Sequence, residues 1–234
     1  MERRMGREAM IFFDIETAPW GKGIAHAIDS LSPPRPPTHY KSLDKIREYV
    51  ASTTRRNEAK IKDEAALSPL TGQIVAVAYK CDGSPAEALY MGLSSMGERE
   101  LIQALVGQIR VHREAVSFNG MSFDVPFIRA RAIKWGIDLP GEIWMQSRYR
   151  TFPHMDLRRV LSGGEAFYKG TLSAWAQMYD LGMPEPHDLN RLKEIWASGE
   201  WKELADICAK DVEVTASVYR KMEAAGLFLG RDER

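Results

Sequence analysis

The feature that most constrains this chain is AMIFFDIET at residues 9–17. Residues 9–14 form a continuous apolar run that ends in an acid. Such a run reads as a buried strand whose last residue emerges at a sheet end. Side chains two apart in a strand point to the same side. Asp14 and Glu16 can therefore turn both carboxylates toward one site.

Further elements follow along the chain. QIVAVAYK (73–80) and AEALYM (86–91) flank CDGS (81–84), a turn signal. With the first strand they predict a three-stranded antiparallel meander. MGERELIQALVGQIRV (96–111) carries apolar residues at helical spacing, and AVSF (115–118) is a short strand. A helix over 124–136 opens on DVP, where Pro126 suits a first helical turn. Thr171 is a candidate N-cap for a helix over 171–181, with Gly182 as its stop. A last helix spans 201–225 and ends at Gly226. Strands first, then helix and strand in alternation, predict an α/β layer fold around a mixed sheet.

Two stretches break this pattern. Residues 19–40 hold five of the twelve prolines, including PPRPP at 33–37, and read as extended and loop-like. Residues 42–66 are helix-like and charge-rich. Together, residues 19–70 read as one insertion between the first two strands of a single domain covering 1–234. The insertion could be a lid, a docking arm or a brace. Its charge run reads first as a solvated helix face and second as a binding surface.

Composition narrows the function classes. The chain has 234 residues, 44% of them hydrophobic, and 32 basic against 32 acidic side chains. That fits a folded domain and argues against a wide polyanion-coating surface. A narrow cleft in which metal ions supply the positive charge remains open. Two cysteines, Cys81 and Cys208, make no secreted disulfide framework. The apolar run Ala9–Phe13 is too short for a signal peptide or a membrane span. The expectation is a cytoplasmic protein with no membrane partner.

Four acids stand out by context. Asp14 and Glu16 sit in FFDIET, Asp124 ends FNGMSFD at a helix start, and Asp211 lies in ICAKDVEVT on the last helix. Each has an apolar setting near the core edge, where an unpaired carboxylate costs several kcal/mol. Hard oxygen ligands suit Mg²⁺ or Mn²⁺, and binding such an ion offsets that cost. Phosphodiester cleavage needs an activated water and a stabilised leaving oxygen, which two metal ions can supply. Taken singly, each acid has a plainer reading: a strand end facing solvent, an N-cap at Asp124, an exposed helix residue at Asp211.

These stretches carry a resemblance. FFDIET, FNGMSFD and ICAKDVEVT resemble the first, second and third motifs of the DEDD superfamily of 3′–5′ exonucleases, which share a ribonuclease H-like fold. The most similar branch resembles the proofreading exonuclease domain of family-B DNA polymerases. KSLDKIREYV (41–50), AALSPLTGQIVAVAY (65–79) and HMDL (154–157) resemble free-standing predicted exonucleases of that branch. The resemblance implies a metal-dependent exonuclease acting on single-stranded DNA or RNA 3′ ends with two Mg²⁺ or Mn²⁺ ions. Asp14 would bridge both ions, Glu16 and Asp211 would hold the water-side ion, and Asp124 would hold the other. Thr17 would lie near the terminal nucleotide through its backbone amide. Asn119 and Phe123 would line the strand path, with core packing an equal reading for Phe123. Asp156 reads as a structural acid rather than a ligand.

One departure matters. The superfamily places a Tyr four residues, or a His five residues, before the final Asp. Here those positions hold Ile207 and Asp206. A general base is typically worth ~10²–10⁴-fold in rate. Its loss would leave a slow enzyme, a substituted one, or a binder without turnover. Candidate substitutes are His187 in PEPHDLN, Tyr219 and His154. Metal ions alone can also lower the pKa of water.

Overall fold

A computed structural model describes residues 10–81, 83–139, 141–145, 150–163, 170–181 and 189–228. The chain divides into two compact units, one of Met1–Glu16 with Ile74–Arg234 and one of Thr17–Gln73.

The first unit is built on a mixed five-stranded sheet. Its strands are β1 (Met10–Pro19), β2 (Gly72–Cys81), β3 (Glu87–Tyr90), β4 (Glu114–Ser117) and β5 (His154–Asp156), in the order β3-β2-β1-β4-β5. β1 and β2 run on at their far ends into the second unit. Of the helices, α1 (Gly21–Asp29) and α2 (Leu43–Asp63) belong to the second unit. The first holds α3 (Glu98–Arg110), α4 (Asp124–Trp135), α5 (Leu157–Leu161), α6 (Leu172–Met178), α7 (Leu189–Ser198) and α8 (Trp201–Ala224). β2 and β3 pair antiparallel, with Val77 opposite Leu89. β4 runs parallel to β1, with Ile11 opposite Ala115, and β5 runs parallel to β4, with Val116 opposite Met155. The predicted α/β mixed sheet is therefore present, with β3, β2 and β1 as neighbours in it. β5 was not expected as a strand: three residues are too few to show a period of two.

Strand alternation sorts β1 between two cores. Ile11, Phe13 and Ile15 pack with Leu101, Leu105, Phe127 and Ile128 of α3 and α4. Phe12, on the other face, packs with Val116, Met155, Cys208, Val212 and Tyr219. Fully burying one such side chain stabilises by about 1.5–3 kcal/mol. On α8 the buried residues Leu204, Cys208, Val212, Thr215, Tyr219 and Met222 follow helical spacing and form the face that meets the sheet.

Two ion pairs lock the helices that carry candidate site residues. Glu98 and Arg131 are 5% and 2% exposed. Glu98 Oε1 accepts from Ile74 N at 2.9 Å and from Arg131 Nε at 2.7 Å, while Oε2 accepts from Trp135 Nε1 at 2.7 Å. This joins β2, α3 and α4. On the other face Glu213 of α8 accepts from Lys80 Nζ at 3.1 Å and from the backbone N–H of Ala86 at 2.7 Å.

The second unit corrects one expectation. Residues 21–29 are helical, not extended; 30–42, which include the proline-rich part, lie in no helix or strand. Gly23 meets a tight approach: a Cβ there would lie 2.3 Å from the Leu70 carbonyl oxygen. Thr17 Oγ1 donates to the Ala66 carbonyl at 2.7 Å, and Thr71 Oγ1 to that of Ala65 at 2.9 Å. α2 is a solvated helix on which Thr53 is the buried residue. No described helix is long and apolar enough to cross a membrane.

Candidate active site

The two-residue period of β1 puts Asp14 and Glu16 on the same side as Phe12, facing α8. The helical period of α8 puts Asp211 on the stripe that faces them. One carboxylate oxygen from each of Asp14, Glu16 and Asp211 lies within 4.8 Å of the others. All three are half-buried. Asp211 is thus not the exposed helix acid of its plainer reading, and Asp14 and Glu16 are not a strand end in open solvent.

Asp124 reaches the same cleft from α4. It is 3% exposed, and the residue that caps α4 is Phe123, so Asp124 is not the N-cap. Its Oδ1 instead accepts the backbone N–H of Ile15 at 3.2 Å, the residue between the two β1 acids. Burial, then the charges of Asp124, Asp211 and Glu16, push the Asp14 carboxyl well above the usual carboxylate range. Burial pushes Asp124 up to about 7, against the backbone N–H bonds that favour its ionised form. Crowded, desolvated carboxylates of this kind suit a divalent cation, whose charge offsets the burial and the repulsion that raise them. The donor set is hard oxygen, which fits Mg²⁺ or Mn²⁺.

A turn opposite the acids is wired in place by β5 and α5. Asn119 has a left-handed backbone, φ 70°, a conformation Asn tolerates better than most residues. Its N–H donates to Asp156 Oδ1 at 2.9 Å, and the Met121 N–H to Asp156 Oδ2 at 3.1 Å. Asp156 also caps α5 through the Arg159 N–H. Ser117 Oγ accepts from Gly120 N–H at 3.1 Å and pairs with His154 Nε2 at 2.8 Å. Gly120 has no room for a side chain, since a Cβ would sit 2.0 Å from Ser117 Oγ. The chain thus uses HMDL to shape the turn that ends at Asp124.

A cleft of about 310 Å³ joins these parts. Asp14, Glu16, Asp124 and Asp211 line it, together with Phe118, Asn119, Phe123, Arg158 and Thr171. Phe123 lines the cleft, and its ring tilts against Phe127 with centroids 5.5 Å apart. The Thr17 hydroxyl is engaged by Ala66.

The substitute bases fare differently. Tyr219 is core, edge-on to Phe12 and stacked on Phe228. Its position two turns beyond Asp211 puts it along the same apolar stripe, away from the strand end. His154 is fully buried, and burial lowers its pKa to about 3. It pairs locally with Ser117. His187 lies outside the described residues. Asp206 turns to solvent and bonds Lys202 at 2.7 Å, and Ile207 is half-buried.

Cys208, Arg158 and Thr171 were not assigned to the site from sequence. Cys208 Sγ donates to Asp14 Oδ2 at 3.3 Å. Its position three residues before Asp211, on the same helix face, was the available signal. Arg158 donates to Asn119 Oδ1 at 2.7 Å, and only its closeness to Asp156 in HMDLRR hinted at it. Thr171, expected as an N-cap, does accept from Ala174 N at 3.2 Å and also lines the cleft.

Comparison with known proteins agrees with this geometry. Residues 69–231 match a family described as a predicted 3′–5′ exonuclease related to the exonuclease domain of PolB. The matched segment holds Asn119, Asp124 and Asp211 but begins after Asp14 and Glu16. No curated protein is significantly similar to the chain. The solved structure of the family B DNA polymerase from the hyperthermophilic archaeon Pyrobaculum calidifontis is similar in fold, with a TM-score of 0.59 at 14% identity. The similarity covers 95% of this chain and 25% of the polymerase, so the chain spans about a quarter of that protein's length.

Proposed function

The chain belongs to the family of predicted 3′–5′ exonucleases related to the exonuclease domain of PolB, and from that premise we propose that it removes nucleotides stepwise from single-stranded DNA or RNA 3′ ends. In this reading Asp14, Glu16, Asp124 and Asp211 hold two Mg²⁺ or Mn²⁺ ions. Such ions supply an activated water and a stabilised leaving oxygen. By the family resemblance Asp14 would serve both ions, Glu16 and Asp211 the water-side ion, and Asp124 the other. Phe123 offers a ring face on which a terminal base stacks, a contact that tolerates any sequence. Asn119 lines the strand path, and the Thr17 backbone amide contacts the terminal nucleotide. His187 is the proposed substitute for the missing third-motif base. Residues 19–70 are read as an insertion within one exonuclease-like domain, 1–234. A cytoplasmic location and a role in nucleic-acid end processing such as DNA repair belong to the same reading.

The observation that carries this proposal is the convergence of Asp14, Glu16 and Asp211 within 4.8 Å in a cleft shared with Asp124. Its test is a 5′-labelled single-stranded oligonucleotide incubated with the protein and Mn²⁺ or Mg²⁺. Stepwise shortening that disappears in Asp14→Ala is the expected result. A ladder that survives in Asp14→Ala would assign the cleavage elsewhere.

Ile207 and the Asp206–Lys202 pair favour a second reading, a nucleic-acid-binding module with little or no turnover. It predicts metal-dependent retention of single strands without shortening, and clear turnover removes it.

A further inference from the structure

Among the described residues, four carboxylates and one guanidinium line the cleft. We infer that this guanidinium, Arg158, is a phosphate-contacting residue that sets where the substrate backbone enters the site. The inference rests on the exonuclease reading above and assigns a residue that neither the four-acid constellation nor its three motifs include.

The argument starts from charge. A single strand brings a negative phosphate for every nucleotide into a wall of acids. Ions held at those acids can meet the phosphate being cut. The neighbouring phosphates need donors of their own, and no other cationic side chain among the described residues lines the cleft. A guanidinium matches a phosphate through two parallel N–H bonds, a fork that Lys lacks.

The position of Arg158 is then built rather than incidental. It is the second residue of α5, and α5 is fixed at its start by the Asp156 cap. Its Nη1 donates to Asn119 Oδ1 at 2.7 Å. Asn119 is itself pinned by the left-handed turn and by its N–H bond to Asp156. One nearly buried carboxylate, Asp156, therefore holds both the turn and the helix that bring Asn119 and Arg158 together. Holding a long side chain in advance reduces the entropy lost when a ligand binds.

The test uses the full chain and a set of oligonucleotides in which each phosphate near the 3′ end is replaced in turn by a neutral methylphosphonate. For wild type, one replacement should raise KM by about 10–100-fold, the usual worth of a charge-assisted bond. Arg158→Ala should raise KM for the natural strand by a similar factor, with a smaller change in kcat. It should then be insensitive to that same replacement. Arg158→Lys should recover only part of the loss. The slope of log KM against log salt should fall by about 0.7 in Arg158→Ala, the value for one phosphate contact on a single strand. An Arg158→Ala KM within twofold of wild type, or losses that add at every phosphate, would overturn the assignment while leaving the exonuclease reading intact. Wild-type protein that neither binds nor shortens any strand would overturn both. The methylphosphonate scan on wild type stands even if Arg158→Ala folds poorly.

Discussion

The thiol of Cys208 donates a hydrogen bond to Asp14 Oδ2 across 3.3 Å, joining helix α8 to strand β1 at the centre of the acidic cluster. Burial and the Asp14 charge push this thiol well above its ordinary pKa, so it stays a donor. The bond favours the ionised form of Asp14 and opposes the burial that raises it. Cys208→Ala should therefore raise the Asp14 pKa further. The acid limb of Mn²⁺ binding against pH should move to higher pH, and Cys208→Ser should restore much of the wild-type position. Titration of Mn²⁺ binding by calorimetry across pH reads this directly; superimposable profiles for Ala and wild type would show that the bond orients nothing.

Asp14 and Asp124 also predict how metal-free protein responds to pH. Both carboxyls are raised in the folded state, Asp124 to about 7. Between the ordinary carboxylate range near pH 4 and about pH 7, the native state holds protons that the unfolded chain has lost. Stability then falls as pH rises through this window. Asp124→Asn should flatten the fall, and added Mn²⁺ should oppose it. Thermal unfolding in chelator over this range is the measurement. A midpoint that climbs with pH in this window would contradict the assignment of raised carboxyls.

The Glu98–Arg131 pair should be a major stability determinant. Glu98→Ala leaves a guanidinium only 2% exposed without its carboxylate. Loss of one partner of a buried pair typically costs about 3–5 kcal/mol. Replacing both residues by apolar ones of similar volume should cost less, because no buried charge is left behind. Denaturant unfolding of the single and double variants distinguishes these outcomes; equal losses would argue that packing, not charge, dominates here.

Ile207 offers a test of the missing base. It occupies the place where one branch of the superfamily carries Tyr, and it is half-buried. Ile207→Tyr should raise kcat, with the ~10²–10⁴-fold worth of a positioned base as the upper bound. Steady-state rates at saturating Mn²⁺ read the effect. An unchanged rate would mean that the water is activated without a side chain at this position.

Much of the lining of this cleft is legible in the sequence. The D-x-E spacing in FFDIET put two carboxylates on one side of a strand, because the period of a strand is local. The setting of Asp211 among apolar residues at helical spacing marked the inward face of α8. Asp124 was found by its context, but not its role in accepting the Ile15 N–H, since that contact joins residues 109 apart in sequence. The helix at Gly21–Asp29 was missed because the prolines of 19–40 mark the whole stretch as extended, whereas four of the five fall at 33–37, beyond the end of the helix.

The sequence by itself determined the longer strands and helices of the first unit, their inward faces and the four candidate acids, because those follow from side-chain period and hydrophobicity along a few consecutive residues. Only the tertiary structure decided which groups meet. Cys208 reaches Asp14 because α8 packs on the sheet face that carries Phe12, and Arg158 reaches Asn119 because the sheet order sets β4 beside β5; a hydrogen bond depends on distance in space, which no local pattern encodes.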